Sequence, residues 1–132
     1  MFVRVATDAD ARLITEHQEA SSTEASLYRG RIRSSTDGGV VLAYVAGFGS
    51  TVMASMTVRI ESNVATIQHV YVVPESREVG LGDALIQTLL SELHARGVTT
   101  VEAQALPGDR GMKNLFERHG LIAQTILVGK SL

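Results

Sequence analysis

The stretch from Arg77 to Leu85 reads REVGLGDAL and follows the apolar run IQHVYVVPES. Gly80 and Gly82 thus lie between a strand pattern and a helix pattern. A strand that feeds a glycine turn and then a helix leaves several backbone N–H groups unpaired at the helix start. Together with the positive end of the helix dipole, those donors can hold an anion such as a pyrophosphate. Glycines let a ligand approach the backbone and tolerate unusual φ angles, and Arg77 could add a cationic donor at the edge. Glu78 and Asp83 point the other way. One puts negative charge in the loop, and the other sits where it could satisfy the dipole itself. An anion cradle and a tight turn capped by its own aspartate both remain open.

Two nucleotide motifs are excluded. GxxxxGK[ST] is absent, and the third glycine of GxGxxG is replaced by Leu85. The other candidate side chains are dispersed. His17 and His94 read as solvated helix positions, and His119 as a partner of the last helix's dipole. Tyr28, Arg29, Arg31 and Arg33 read as a solvated basic face or as an acidic-substrate site. The four histidines and four methionines show no metal-ligand spacing.

The elements around the loop follow from periodicity. FVRVA predicts an opening strand. TDADARLITEHQEA predicts a helix, with Thr7 and Asp10 in a capping-box arrangement. A second helix is predicted from Ser22, broken near Gly30, and the TDGG at Thr36 to Gly39 is a turn. VVLAYVA, TVMASMTVRIES and VATIQHVYVV predict three strands of an antiparallel meander. In the middle strand Val52, Ala54, Met56, Val58 and Ile60 share one face. Leu81, Leu85, Leu89 and Leu93, with Ile86 and Leu90, form the apolar stripe of a helix ended by Gly97. VTTVEAQAL predicts a strand, GDRGMKNLFERHG a helix, and TILVGKSL a last strand.

Composition narrows the class. At 132 residues, 45% hydrophobic and 20% charged, the chain predicts one domain, residues 1–132, with a real core. A net charge of -2 argues against a surface devoted to nucleic acid or to acidic membranes. The absence of cysteine excludes disulfides and a thiolate nucleophile and is compatible with a reducing cytoplasm. The N-terminus shows no secretory signal pattern, and no apolar run approaches the roughly 20 residues needed to span a bilayer. The expectation is a cytoplasmic protein.

VYVVPESREVGLGDAL resembles the central segment of the Gcn5-related N-acetyltransferases: a strand, a proline, then [RQ]-x-x-G-x-[GA] opening a helix. NLFERHGL, Asn114 to Leu121, is similar to the family's late L-Y-E-x-x-G-F segment. The resemblance implies an α/β fold with a mixed central sheet of about six strands flanked by helices. It also implies acetyl-coenzyme A as cosubstrate. Backbone N–H groups of Arg77, Glu78, Val79, Gly80, Leu81 and Gly82 would cradle the pyrophosphate. The strand before the loop would splay from Val98 to Leu106, and the pantetheine arm would pair with Val72 and Val73. The N–H near Val72 would polarise the acetyl carbonyl for direct attack by an amine, small-molecule or peptide.

The chain departs from that family pattern at several positions. Phe116 stands where the family often has a tyrosine acid, and phenylalanine cannot donate a proton. Asp109 stands where an asparagine commonly contacts the pantetheine arm. In place of a strand carboxylate as base, this strand offers Gln68 and His69. Strict alternation puts His69 on the core face with Ala65 and Ile67; a bulge would change that facing. The short tail leaves an edge that a second copy could complete as a homodimer. The leading expectation is N-acetyl transfer. The alternative is an acyl-coenzyme A-binding domain with little turnover, serving as a sensor or interaction module.

Overall fold

The structure, a computed structural model, describes residues 1–34 and 37–132. Five strands form one sheet in sequence order: β1 (Phe2–Val5), β2 (Val40–Phe48), β3 (Thr51–Glu61), β4 (Val64–Val72) and β5 (Thr100–Glu102). The first four run antiparallel, and β5 joins β4 in parallel. Helix α1 (Ala11–Ala25) packs on β3 and β4, helix α2 (Leu81–Ala95) on β2, β3 and β4, and α3 (Arg110–Arg118) follows β5. Helices on both faces explain why every residue from Ala54 to Val58 is buried although β3 alternates.

The apolar half of β3 faces α2. Ala54, Met56 and Val58 join Leu81, Leu85, Ile86, Leu89 and Leu93 in the core. Each of these side chains larger than alanine contributes about 1.5–3 kcal/mol by leaving water. The polar half, Ser55 and Thr57, is buried under α1. The entry to α1 is tied to β1. Asp10 accepts from the Thr7 N–H at 2.8 Å and from both terminal nitrogens of Arg4 at 2.7 and 3.0 Å. These bonds hold its carboxyl at about 2.

Three expectations change. The two helices predicted before the meander are one: α1 runs through Ser22, whose carbonyl accepts the Ser26 N–H at 3.2 Å, so helix propagation overrides the capping signal. The strand predicted over 98–106 keeps three residues in the sheet, because the side chain of Gln104 instead pairs with the backbone of Arg33. Residues 121–132 form no strand, and Ile126 and Val128 are 84% and 85% exposed, so the sheet has five strands rather than about six. The turn predicted at Thr36 to Gly39 begins outside the described residues; Asp37 to Gly39 lead into β2. Among the described residues no helix is long and apolar enough to cross a membrane.

Candidate active site

A bulge in β4 organises the site. Ala65 lies opposite Ile60 and Ile67 opposite Val58, but the next pair is His69 with Thr57, so Gln68 is an extra residue. One extra residue reverses the facing of everything after it. Ile67 is on the core side, whereas His69 is turned to the α1 face beside Ser55 and Thr57. Val70 and Val72 return to the α2 side and pack on the core.

The far end of β4 is open on one edge. The β4–β5 ladder stops at Thr66 and Glu102. The Val73 N–H donates to the Met53 carbonyl at 2.9 Å. By alternation the N–H and C=O of Val72 point away from β3, into the gap where β5 has left. The Val72 carbonyl accepts the Nε–H of Arg77 at 2.8 Å. The same guanidinium pairs with Glu24 of α1 at 2.7 Å and lies 5.3 Å from the centroid of Tyr71. Arg77 therefore faces the gap and α1.

The glycine loop leads from a short 3-10 turn, Pro74–Ser76, to α2. Gly80 is the N-cap with φ 91°, a backbone that favours glycine. Among the described residues no side chain caps this helix start. Asp83 is engaged elsewhere, by Arg118 at 3.1 and 3.2 Å and by His119 Nε2 at 2.7 Å. The Arg118 bonds lead the causes that lower its pKa. The side chain of Asp83 therefore does not cap its own helix start. Gly82 has a packing reason as well: an added Cβ would lie 3.3 Å from Leu115 of α3. Glu78 takes a left-handed φ of 66°, and Val79 is half-exposed.

Asp109 and Phe116 have structural partners. Asp109 is the N-cap of α3 and accepts the Met112 N–H at 3.2 Å. Phe116 is buried in the core cluster. His119 contacts Asp83 rather than acting on its own helix alone.

His17, expected to be solvated, is 4% exposed. Its Nδ1 lies 2.7 Å from Ser55 Oγ, whose oxygen is 3.1 Å from His69 Nε2; Thr57 Oγ1 is 2.7 Å from His69 Nδ1. Its ring also lies 4.9 Å from that of Tyr71. Helical spacing could have found this buried residue, since His17 stands four after Leu13 and three after Ile14. Burial, and then proximity to His17, push the pKa of His69 down to about 4; burial also lowers that of His17. Both rings are neutral near pH 7.

Beside His69 a cavity of about 520 Å³ opens between α1, the segment after it and the bulge. A larger cavity, about 760 Å³, lies at the opposite edge, where Arg96 and Arg4 are already paired with Glu92 and Asp10. It touches none of the loop or bulge residues.

Residues 7–121 match the acetyltransferase (GNAT) family. The chain belongs to that family. Its fold is similar to that of a tetramutant of the BH1408 protein from Bacillus halodurans (TM-score 0.77, 18% identity, all of both chains covered). It is also similar to the ribosomal-protein-S18-alanine N-acetyltransferase of Escherichia coli (TM-score 0.71, 21% identity, 90% of this chain and 76% of that one). A third similar fold is an aminoglycoside acetyltransferase from an uncultured soil metagenomic sample (TM-score 0.74, 15% identity, 99% and 94%). No protein of curated function matches the chain at a significant level. Within the GNAT fold, the open edge at Val72 and the uncapped start of α2 are adjoining ends of one segment.

Two outcomes follow from this geometry. Because the folded-state pKa of His69 lies below its ordinary 6.5, the unfolded chain binds more protons between those values. The associated stability is complete above 6.5 and is lost as pH falls toward 4, about 2 kcal/mol of it by about pH 5. Thermal melts of His69→Gln should therefore fall less between about pH 7 and pH 5 than those of the native chain; equal falls would refute the buried neutral ring. At position 78, Glu78→Gly should be more stable than Glu78→Ala by about 1 kcal/mol, since only glycine relieves the left-handed backbone. Denaturant melts giving the reverse order would contradict the loop conformation.

Proposed function

We propose that this GNAT-family chain transfers an acetyl group from acetyl-coenzyme A to an amine. The observation that carries the reading is Val72, whose N–H and C=O face a gap between β4 and β5 immediately before an uncapped helix start. The residues fit the cosubstrate: among the described residues the first-turn N–H groups of α2 have no side-chain cap, and Asp83 is paired with Arg118 and hydrogen-bonded to His119. When bound, acetyl-coenzyme A supplies an activated thioester.

In this reading the backbone of the glycine loop, from Glu78 to Gly82, binds the pyrophosphate. The backbone of Val72 and Val73 runs alongside the pantetheine arm, and the Val72 N–H donates to the acyl oxygen. Arg77 gives up the Val72 carbonyl and Glu24 and turns toward the phosphates. Asp109 and Phe116 support α3 against the loop. His69, neutral and bonded at both ring nitrogens to Ser55 and Thr57, lines the amine's cavity as a fixed wall. A ring with a pKa of about 4 is a weak base for an ammonium, so the amine loses its proton to solvent before attack.

A second reading, binding of acyl-coenzyme A without efficient turnover, is favoured by one observation. Phe116, at the position of the family's acid, is buried and has no proton to give a leaving thiolate.

Acetyl-coenzyme A at about 100 times its Kd should stabilise the fold by about 2.7 kcal/mol, read as a rise in Tm. No rise at millimolar ligand would sink both readings. Release of free thiol with a panel of amines separates transfer from binding alone. The exposed Arg77–Glu24 pair competes with the ligand, so Glu24→Gln should tighten acetyl-coenzyme A binding about two- to fivefold, in keeping with the modest worth of surface ion pairs. Unchanged or weaker binding would show that Arg77 stays where it is.

A further inference from the structure

The cavity beside His69 has a charge character that bears on which amine can enter it. Its sheet wall supplies Thr57, Gln68 and His69, and α1 supplies the hydroxyls of Ser21 and Ser22. The segment after α1 contributes Arg31. Among the described residues no carboxylate lines it. Glu24, on the last turn of α1, pairs with Arg77 and is not among the lining residues, so its release by Arg77 adds no carboxylate to this wall. Arg31 has no ion-pair or hydrogen-bond partner among the described residues, and its neighbours Arg29 and Arg33 do not line the cavity. Since His69 is neutral, Arg31 is the one formal charge among the described lining residues.

A polycationic acceptor entering this cavity would bring several ammonium groups to walls that offer a guanidinium and no counter-charge. A compact acceptor with its own carboxylate would meet the planar fork of Arg31, which suits bidentate binding. Hydroxyls and an amide surround it. The volume, about 520 Å³, suits a small molecule. Resting on the acyl-transfer reading above, we propose that the acceptor is a small amine bearing a carboxylate, of the amino-acid class, and that Arg31 determines this specificity. The carboxylate docks on Arg31, which leaves the amine to reach past His69 toward Val72.

The test compares matched acceptors. Thiol release from acetyl-coenzyme A is followed with glutamate and β-alanine, with glycinamide as the neutral amine, with spermidine, and with an acidic peptide. The carboxylated amines should exceed the amide and spermidine in kcat/KM, and free amino acids should exceed the peptide. Arg31→Gln should raise KM for glutamate about 10- to 100-fold, the usual range for a charge-assisted pair, with kcat little changed. Arg31→Glu should turn the preference toward spermidine. An equal loss for every acceptor in Arg31→Gln would mark a merely structural role and overturn the proposal, as would a native preference for spermidine or for the peptide. The Tm rise with acetyl-coenzyme A, measured in both variants, verifies that the fold and the cosubstrate site persist. Should no thiol be released at all, calorimetric titration of the native protein and Arg31→Gln with glutamate and with spermidine decides instead. Tighter glutamate binding that depends on Arg31 sustains the proposal even if acetyl transfer fails; binding indifferent to Arg31, or none, overturns it.

Discussion

Everything in the site depends on one extra residue in β4. Side chains on a strand alternate with a period of two, so the bulge at Gln68 reverses the facing of each residue after it. Without it His69 would point into the aliphatic core beside Ile67, and Tyr71 would follow. With it, the core receives Val70 and Val72, and the α1 face receives His69 and Tyr71. The bulge comes directly after the β4–β5 ladder ends at Thr66. One irregularity thus separates a closed half of the strand, paired on both edges, from an open half whose Val72 backbone faces a gap.

The polar groups that the bulge turns toward α1 make a buried network. His17, Ser55, His69 and Thr57 are linked in a chain that crosses from α1 through β3 to β4. Each hydroxyl has one proton to donate, and each neutral ring has one donor and one acceptor nitrogen. The chain can satisfy its members with both histidines neutral, since Ser55 and Thr57 can each donate or accept. Burial favours that same state by disfavouring the charged rings. The network fixes how α1 lies on the sheet, and with it the cavity between them. Its positioning role and its weak basicity have the same origin, since both follow from desolvation under α1.

Much of the fold was legible in the sequence. The three meander strands, the leucine stripe of α2 and the glycine stops of α2 and α3 follow from periodicity and turn chemistry. These are local signals that tertiary packing reinforced. What escaped were properties set by distant partners. The Ser22 capping signal lost to the continuation of α1. The apolar TILV segment makes no strand because β5, three residues long, offers little edge to pair with. Near the candidate site, the glycine turn opening α2 was legible from its motif. The pairings Arg77–Glu24 and Asp83–His119 were not, because they join residues 53 and 36 positions apart. Charge counted along the loop gave Asp83 as an obstacle to an anion. In the fold its charge is directed into α3.

That pairing changes what the acidic residues of the loop mean for an anion there. A helix start attracts anions through its unpaired N–H groups and its dipole, an effect confined to the first turn. An aspartate at this position would ordinarily occupy those donors and repel a ligand. Here Arg118 and His119, both at the end of α3, draw its carboxylate sideways, and Arg118 offsets its charge. The same contact aligns the end of α3 with the start of α2, and Leu115 lies close enough to Gly82 that a side chain there would crowd it. The second glycine of the loop is thus required by helix packing, and the first by its left-handed backbone. Glu78 is the acid left without such a neutralising partner, and it sits on a backbone better suited to glycine. The loop's residual resistance to an anion is therefore concentrated at that one residue, whose strain and charge oppose the arrangement independently of each other.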